Sequence, residues 1–247
     1  MTAETIVWLV AISGVTLLAG AVHSALGFGS GPLLVPVLLV QYEPAVAVVC
    51  ALLVGMGVNL LQLVAERRHP RISVRRLRVL WIGAAPGCLA GALLAGELDA
   101  TTLSVVVAVA LVVSAIALIL TPSRSITLPP AAMAVAGVAT GASAALTGIF
   151  GPILGMILMA AGLREEELRD GLGASFLIVG AIAVCASLIL TGEWSGLTLA
   201  GALMVPAAAG QVLGRRIAGR MQPRQQRRAV LLAVLMAAGV ALARAAA

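Results

Sequence analysis

His23-Ser24-Ala25-Leu26-Gly27-Phe28-Gly29-Ser30-Gly31-Pro32 breaks an apolar chain between one long apolar run and one short one. Its glycines permit backbone that leaves the helix and lets a ligand come close. Pro32 suits the first turn of a following helix, where its missing N–H has no partner to lose. A helix that starts inside a membrane aims free N–H groups and the positive end of its dipole at the bilayer centre. A second break, Thr147-Gly148-Ile149-Phe150-Gly151-Pro152, has the same character. Gly31-Pro32 recurs as Gly151-Pro152 and Pro86 as Pro206, each 120 residues on.

The sequence around these breaks belongs to a membrane. Of 247 residues, 61% are hydrophobic and 11% charged. Soluble domains have about 25% charged residues, so a cytosolic enzyme, a disordered chain and a nucleic-acid-binding module are excluded. Apolar runs between polar interruptions give ten segments, at 5–26, 31–41, 44–65, 78–96, 101–121, 128–147, 151–162, 171–191, 196–212 and 228–246. A spanning helix needs about 20 residues. Eight segments are long enough; 31–41 and 151–162 are too short and read as half-helices or re-entrant pieces. Glu4 precedes the first segment without a positive flank, so it reads as a retained span rather than a cleaved leader. Cys50, Cys88 and Cys185 lie in apolar runs and read as reduced, small hydrophobes.

The expected fold is an all-α polytopic membrane protein made of two repeats, 1–122 and 123–247. Each repeat reads long, short, long, long, long. Five passes is an odd number, so the second repeat is inverted relative to the first, an architecture common among secondary transporters. Every basic residue apart from the two histidines is Arg, and fifteen of the sixteen fall in the loops at 66–78, 121–128, 163–170 and 214–228. The positive-inside rule makes those loops cytoplasmic. A multi-pass protein of the inner (cell) membrane with both termini outside is expected. The arginine runs read as orientation signals and contacts to membrane lipid.

No acid or base lies deep inside an expected span, which argues against a pump built on buried carboxylates. An anion site in this interior must then use backbone N–H groups and hydroxyls. The candidate substrate-binding residues are His23, Ser24, Gly27, Phe28, Gly29, Ser30 and Gly31 at the first break. Thr147, Gly148, Phe150 and Gly151 are the candidates at the second, and Asn59, Ser175 and Gln211 on neighbouring spans. Ser30 and Thr147 add hydroxyl donors, and Phe28 and Phe150 stand where gates would. Each has a plainer alternative. Glycine stretches also let helices pack closely, and Asn, Gln and His also bond helices together. No cofactor, metal cluster or catalytic group is expected. Ser30 with His23 upstream is the one hint of a nucleophile and base, but its flanks give neither Gly-x-Ser-Gly nor Gly-x-Ser-x-Gly. The alternatives to a transporter are an anion-conducting channel and, further off, an intramembrane enzyme. The expected partner is a small anion, not nucleic acid; self-association stays open.

Gly27-Phe28-Gly29-Ser30-Gly31-Pro32-Leu33-Leu34-Val35-Pro36 resembles the pattern of the TauE/SafE family of sulfite exporter-like permeases, a glycine-rich stretch before a Val-Pro-Leu-like run in both halves. The second copy, Gly148-Ile149-Phe150-Gly151-Pro152-Ile153-Leu154-Gly155-Met156, lacks one glycine and the later proline. Pro206, Gly210 and Gly214 leading to Arg215, Arg216 and a last apolar run are also similar to the family. The resemblance covers nearly the whole chain. It implies transport of small anions such as sulfite, thiosulfate, sulfoacetate or related organosulfonates and carboxylates, by import or export.

Overall fold

A computed structural model describes residues 3–66, 72, 74–119, 128–218 and 239. Nine helices and no strand lie among them: α1 (Ala3–Leu26), α2 (Ser30–Leu38), α3 (Pro44–Glu66), α4 (Val74–Glu97), α5 (Ala100–Ile119), α6 (Pro130–Thr147), α7 (Gly151–Ala160), α8 (Glu165–Thr191) and α9 (Ser195–Ala218). By length and composition, six can cross a membrane: α1, α3, α4, α6, α8 and α9. The expected fifth span is α5, whose apolar part, Thr101–Ile116, is shorter. The expected tenth, 228–246, lies outside the described residues apart from position 239. The two short segments are helices, one turn shorter at the C-terminal end of α2 than expected.

The helix ends follow from local chemistry. Gly148, at φ +67, closes α6 with its N–H on the Ala144 carbonyl at 2.9 Å. Only glycine takes that left-handed backbone cheaply. Asp99 sits before α5 with its carboxylate accepting from the Thr102 N–H. Bonding from Thr102 holds that carboxyl below its ordinary range. Three helices extend past the expected apolar runs into polar residues: α4 from Val74, α9 to Ala218, and α8. α8 starts at Glu165, and its first turns carry Arg169 and Asp170, with Asp170 buried. The loop expected at 163–170 is therefore shorter, since its last six residues are helical. The apolar run begins at Gly171, but α8 extends through the polar residues before it.

Packing relies on small residues. α4 and α6 run parallel, with Gly83, Gly87 and Gly91 against the backbone at Ala134, Val138 and Ala142. α1 and α9 also run parallel, with Gly210 and Gly214 against Leu17 and Ala21. Such contacts let backbones approach where lipid gives no hydrophobic drive for association. α3 and α8 cross antiparallel in the middle, where Gly180 faces Met56. α9 lies along α3, its Gln211 bonding the Val58 carbonyl at 3.0 Å. One apolar cluster joins α1, α2, α3, α5 and α9; another joins α3, α4, α6, α7 and α8. The outer faces are apolar too, with Ile189 80% and Val205 76% exposed. In water that surface would aggregate; in a bilayer it meets lipid. α4 and α8 run side by side, joined by Arg76–Glu167 at 3.4 Å and Trp81–Ser175 at 2.9 Å. These alignments bring Arg75, Arg76 and Arg78, Arg164 and Arg169, and Arg215 and Arg216 to one end of the bundle.

Candidate functional site

The two breaks meet in the middle of the bundle. α2 runs from the centre towards the end without arginines, and α7 from the centre towards the arginine-bearing end. A side chain on Gly31, in the first turn of α2, would strike the carbonyl oxygen of Gly148. One on Gly151, at the start of α7, would meet Phe28 and the ring of Phe176. Gly27 and Gly29, at φ +80 and +140, turn the chain out of α1 and into α2. Neither N-cap residue, Gly29 or Phe150, supplies a side-chain bond to its helix. The first turns of both short helices therefore end in backbone donors without a side-chain cap, and such ends suit anions.

Beside these helix starts lies a chain of polar groups. The Asn59 amide nitrogen donates to the Gly55 carbonyl, four residues back on α3, at 3.0 Å. That bond fixes the amide's orientation, because swapping its atoms would set oxygen against oxygen. The same nitrogen lies 2.9 Å from His23 Nε2. Nε2 must accept, so the ring proton sits on Nδ1 and is donated to Ser30 Oγ at 3.2 Å. Ser30 accepts from His23 and keeps its own hydroxyl proton to give. His23, Ser30 and Asn59 are all buried. Gly55 leaves the room for this contact, since a methyl there would press on Ser30 Oγ.

An aromatic group closes the centre. Phe150 and Phe176 stack tilted at 4.4 Å between centroids, and Phe176 meets His23 edge-on at 5.4 Å. The chain has three phenylalanines, 28, 150 and 176, and all three gather between the helix starts. Phe150 is 1% and His23 0% exposed, so ring and imidazole are both sealed from solvent.

Not every candidate faces this centre. Thr147 spends its hydroxyl on its own backbone, donating to Ser143 O at 2.8 Å and accepting from Ile149 N at 3.2 Å. It shapes the break rather than offering a donor. Ser143 also donates to the Ile149 carbonyl. Ser24 donates to Ala21 O at 3.2 Å. Ser175 accepts from Trp81 on α4, and Gln211 bonds the α3 backbone. Sequence reading passed over Phe176 and Gly55. The rarity of phenylalanine was the signal for Phe176. The Gly55 role depends on α1 crossing α3, which no local pattern reports.

The family model described as sulfite exporter TauE/SafE matches residues 12–242. No curated protein and no solved structure matches the chain.

Proposed function

The chain belongs to the TauE/SafE sulfite exporter family of membrane transporters, and from that premise we propose that it carries a small, sulfur-containing anion such as sulfite, thiosulfate or an organosulfonate. The anion binds between the starts of α2 and α7, held by their uncapped backbone N–H groups and the Ser30 hydroxyl. His23 and Asn59 orient Ser30, while Phe28, Phe150 and Phe176 close the site. The observation that carries this reading is the meeting of the two short helices, N-terminus towards N-terminus, with Gly31 on the Gly148 carbonyl. One buried point thereby receives two positive helix ends without any charged side chain.

Alternating access is the proposed mechanism, and helix pairing supports it. α1 lies along α9 as α6 lies along α4. Those pairs exchange if residues 1–122 map onto an inverted 123–247, in an eight-span protein with two half-helices. The gathering of arginines at one end supports an inner-membrane protein with that end cytoplasmic and the termini outside. The burial of Phe150 and His23 at the centre favours a carrier over an open channel. Counterflow in liposomes tests the reading. Unlabelled sulfite inside should drive transient accumulation of labelled sulfite; equilibration without overshoot would mean a channel, and no flux of any anion tested would overturn transport.

A further inference from the structure

We propose that His23 takes up one proton for each anion the protein carries, and that Asn59 keeps the imidazole neutral until the anion is there. This deepens the anion reading above and rests on it. The network as it stands fits only a neutral imidazole. Nε2 has no proton and accepts from the Asn59 amide nitrogen at 2.9 Å, while Nδ1 gives its proton to Ser30 Oγ at 3.2 Å. An imidazolium carries a proton on both nitrogens. Its Nε2–H would then meet the Asn59 amide donor against donor. Turning the amide over would set Asn59 Oδ1 on Nε2. It would also set that oxygen against the Gly55 carbonyl, to which the nitrogen now donates at 3.0 Å. Charging His23 therefore breaks at least one of the two bonds that Asn59 makes. The turn itself has room, since Asn59 Oδ1 lies beside Gly173, which has no side chain.

The imidazole also lacks a counter-charge. His23 is fully buried. Among the described residues its bonds and ring contact go to Ser30, Asn59 and Phe176, none of them charged. The surrounding helices bring no acid into contact with it. α2, α6 and α7 have no titratable side chain, and on α1 the other one is Glu4, at the far end. α3 has Cys50 and, at its last residue, Glu66. α9 has Arg215 and Arg216 in its last turn, both exposed. α8 has Cys185 and, in its first two turns, Glu165, Glu166, Glu167, Arg169 and Asp170. Of these Asp170 comes nearest in sequence to Phe176, at more than a turn's distance. A buried charge without a partner is costly. An anion at the start of α2, on the Ser30 hydroxyl, supplies the partner, because Ser30 is the group that Nδ1 already bonds.

Anion and proton then bind together. The anion stabilises the imidazolium, and by linkage the imidazolium strengthens anion binding by the same factor. The proton comes from water on the open side, rides on Nε2 and returns to water on the other side. A monovalent anion crosses in this way with no net charge moved.

The test reads the His23 nitrogens in nitrogen-15-labelled protein in lipid, with His69→Gln removing the other histidine. Sulfite, thiosulfate and methanesulfonate are added in turn, and a rise in melting temperature shows which of them binds. Bound anion should raise the proton affinity of His23 about tenfold or more, so that the imidazolium pattern appears at higher pH than without it. In liposomes, inward flow of thiosulfate or methanesulfonate, whose own charges are constant through the neutral range, should acidify the lumen. Their KM should fall about tenfold for each unit by which pH is lowered, until His23 is charged throughout. His23→Gln should remove the proton movement and the pH dependence from whatever flux remains. Asn59→Asp gives an Nε2 proton an acceptor and should move the pH profile to higher pH. A merely structural role for either residue would lower flux at every pH without moving the profile. An anion that binds while His23 stays as neutral as before, or flux through His23→Gln that still moves protons, overturns the proposal. If the variants do not fold, or only sulfite is carried, the nitrogen shifts decide alone. No binding and no flux of any anion would instead overturn the transport reading.

Discussion

Asn59 on α3 holds His23 on α1 through a 2.9 Å bond to Nε2, while the same amide nitrogen bonds its own helix at Gly55. One amide therefore selects the tautomer of the buried histidine and, through it, the acceptor role of Ser30. The nitrogen-15 shifts of His23 in labelled protein should report the proton on Nδ1. Asn59→Asp presents an acceptor to Nε2 and should move the proton there. An Nε2 proton in the unmutated protein would contradict the network.

Asn59→Leu leaves Nε2 buried without a donor. The expected loss is about 1–3 kcal/mol for an orphaned buried polar group. It should appear as a lower melting temperature in detergent, together with slower transport. An unchanged melting temperature would mean that the bond contributes nothing to the fold.

Gly31→Ala should remove transport, because the methyl has only the Gly148 carbonyl to enter. Overpacking of this kind costs about 1–3 kcal/mol. Gly155→Ala serves as the control, since its methyl would reach Phe28 and Leu172 only at 3.9 and 4.0 Å. Transport assays with matched protein levels should separate the two variants. Equal transport by both would remove the meeting of the breaks from the mechanism.

Phe176→Ala empties the space between Phe150 and His23 and should destabilise by about 3–5 kcal/mol. Phe176→Leu keeps most of the volume and should fold. Without the flat ring over the centre, it should leak anion in liposomes when no exchange partner is present. A tight Phe176→Leu variant would argue against closure by this ring.

Thiol reactivity checks the packing of the spans. Cys50 and Cys88 are buried between helices, whereas Cys185 is exposed on the lipid face. A lipophilic maleimide should label Cys185 and spare the other two until the protein is denatured, as peptide mass mapping would read directly. Labelling of Cys88 in the folded protein would contradict the contact between α4 and α8, where its Sγ lies 3.8 Å from the Val179 carbonyl.

By itself, the sequence determined the membrane class, the two breaks and the short helices after them. Those depend on composition, on glycine and proline within a few residues, and on lengths set by bilayer thickness. It also held the candidates His23, Ser30, Asn59 and Gly31, because polar or glycine residues stand out in an apolar run. Only the tertiary structure decided what each candidate faces. Thr147 and Ser143 turned to their own backbone, and Ser175 and Gln211 to neighbouring helices, since a hydroxyl or amide in an apolar interior takes whichever partner packing brings near. Asp170 lies in a helix that the hydropathy pattern started one residue later. The approach of Phe176 to Phe150, of Gln62 to Arg169 and of Gly31 to Gly148 joins residues far apart in the chain. Local propensity carries no information about such pairs, which exist because the helices cross where small residues allow it.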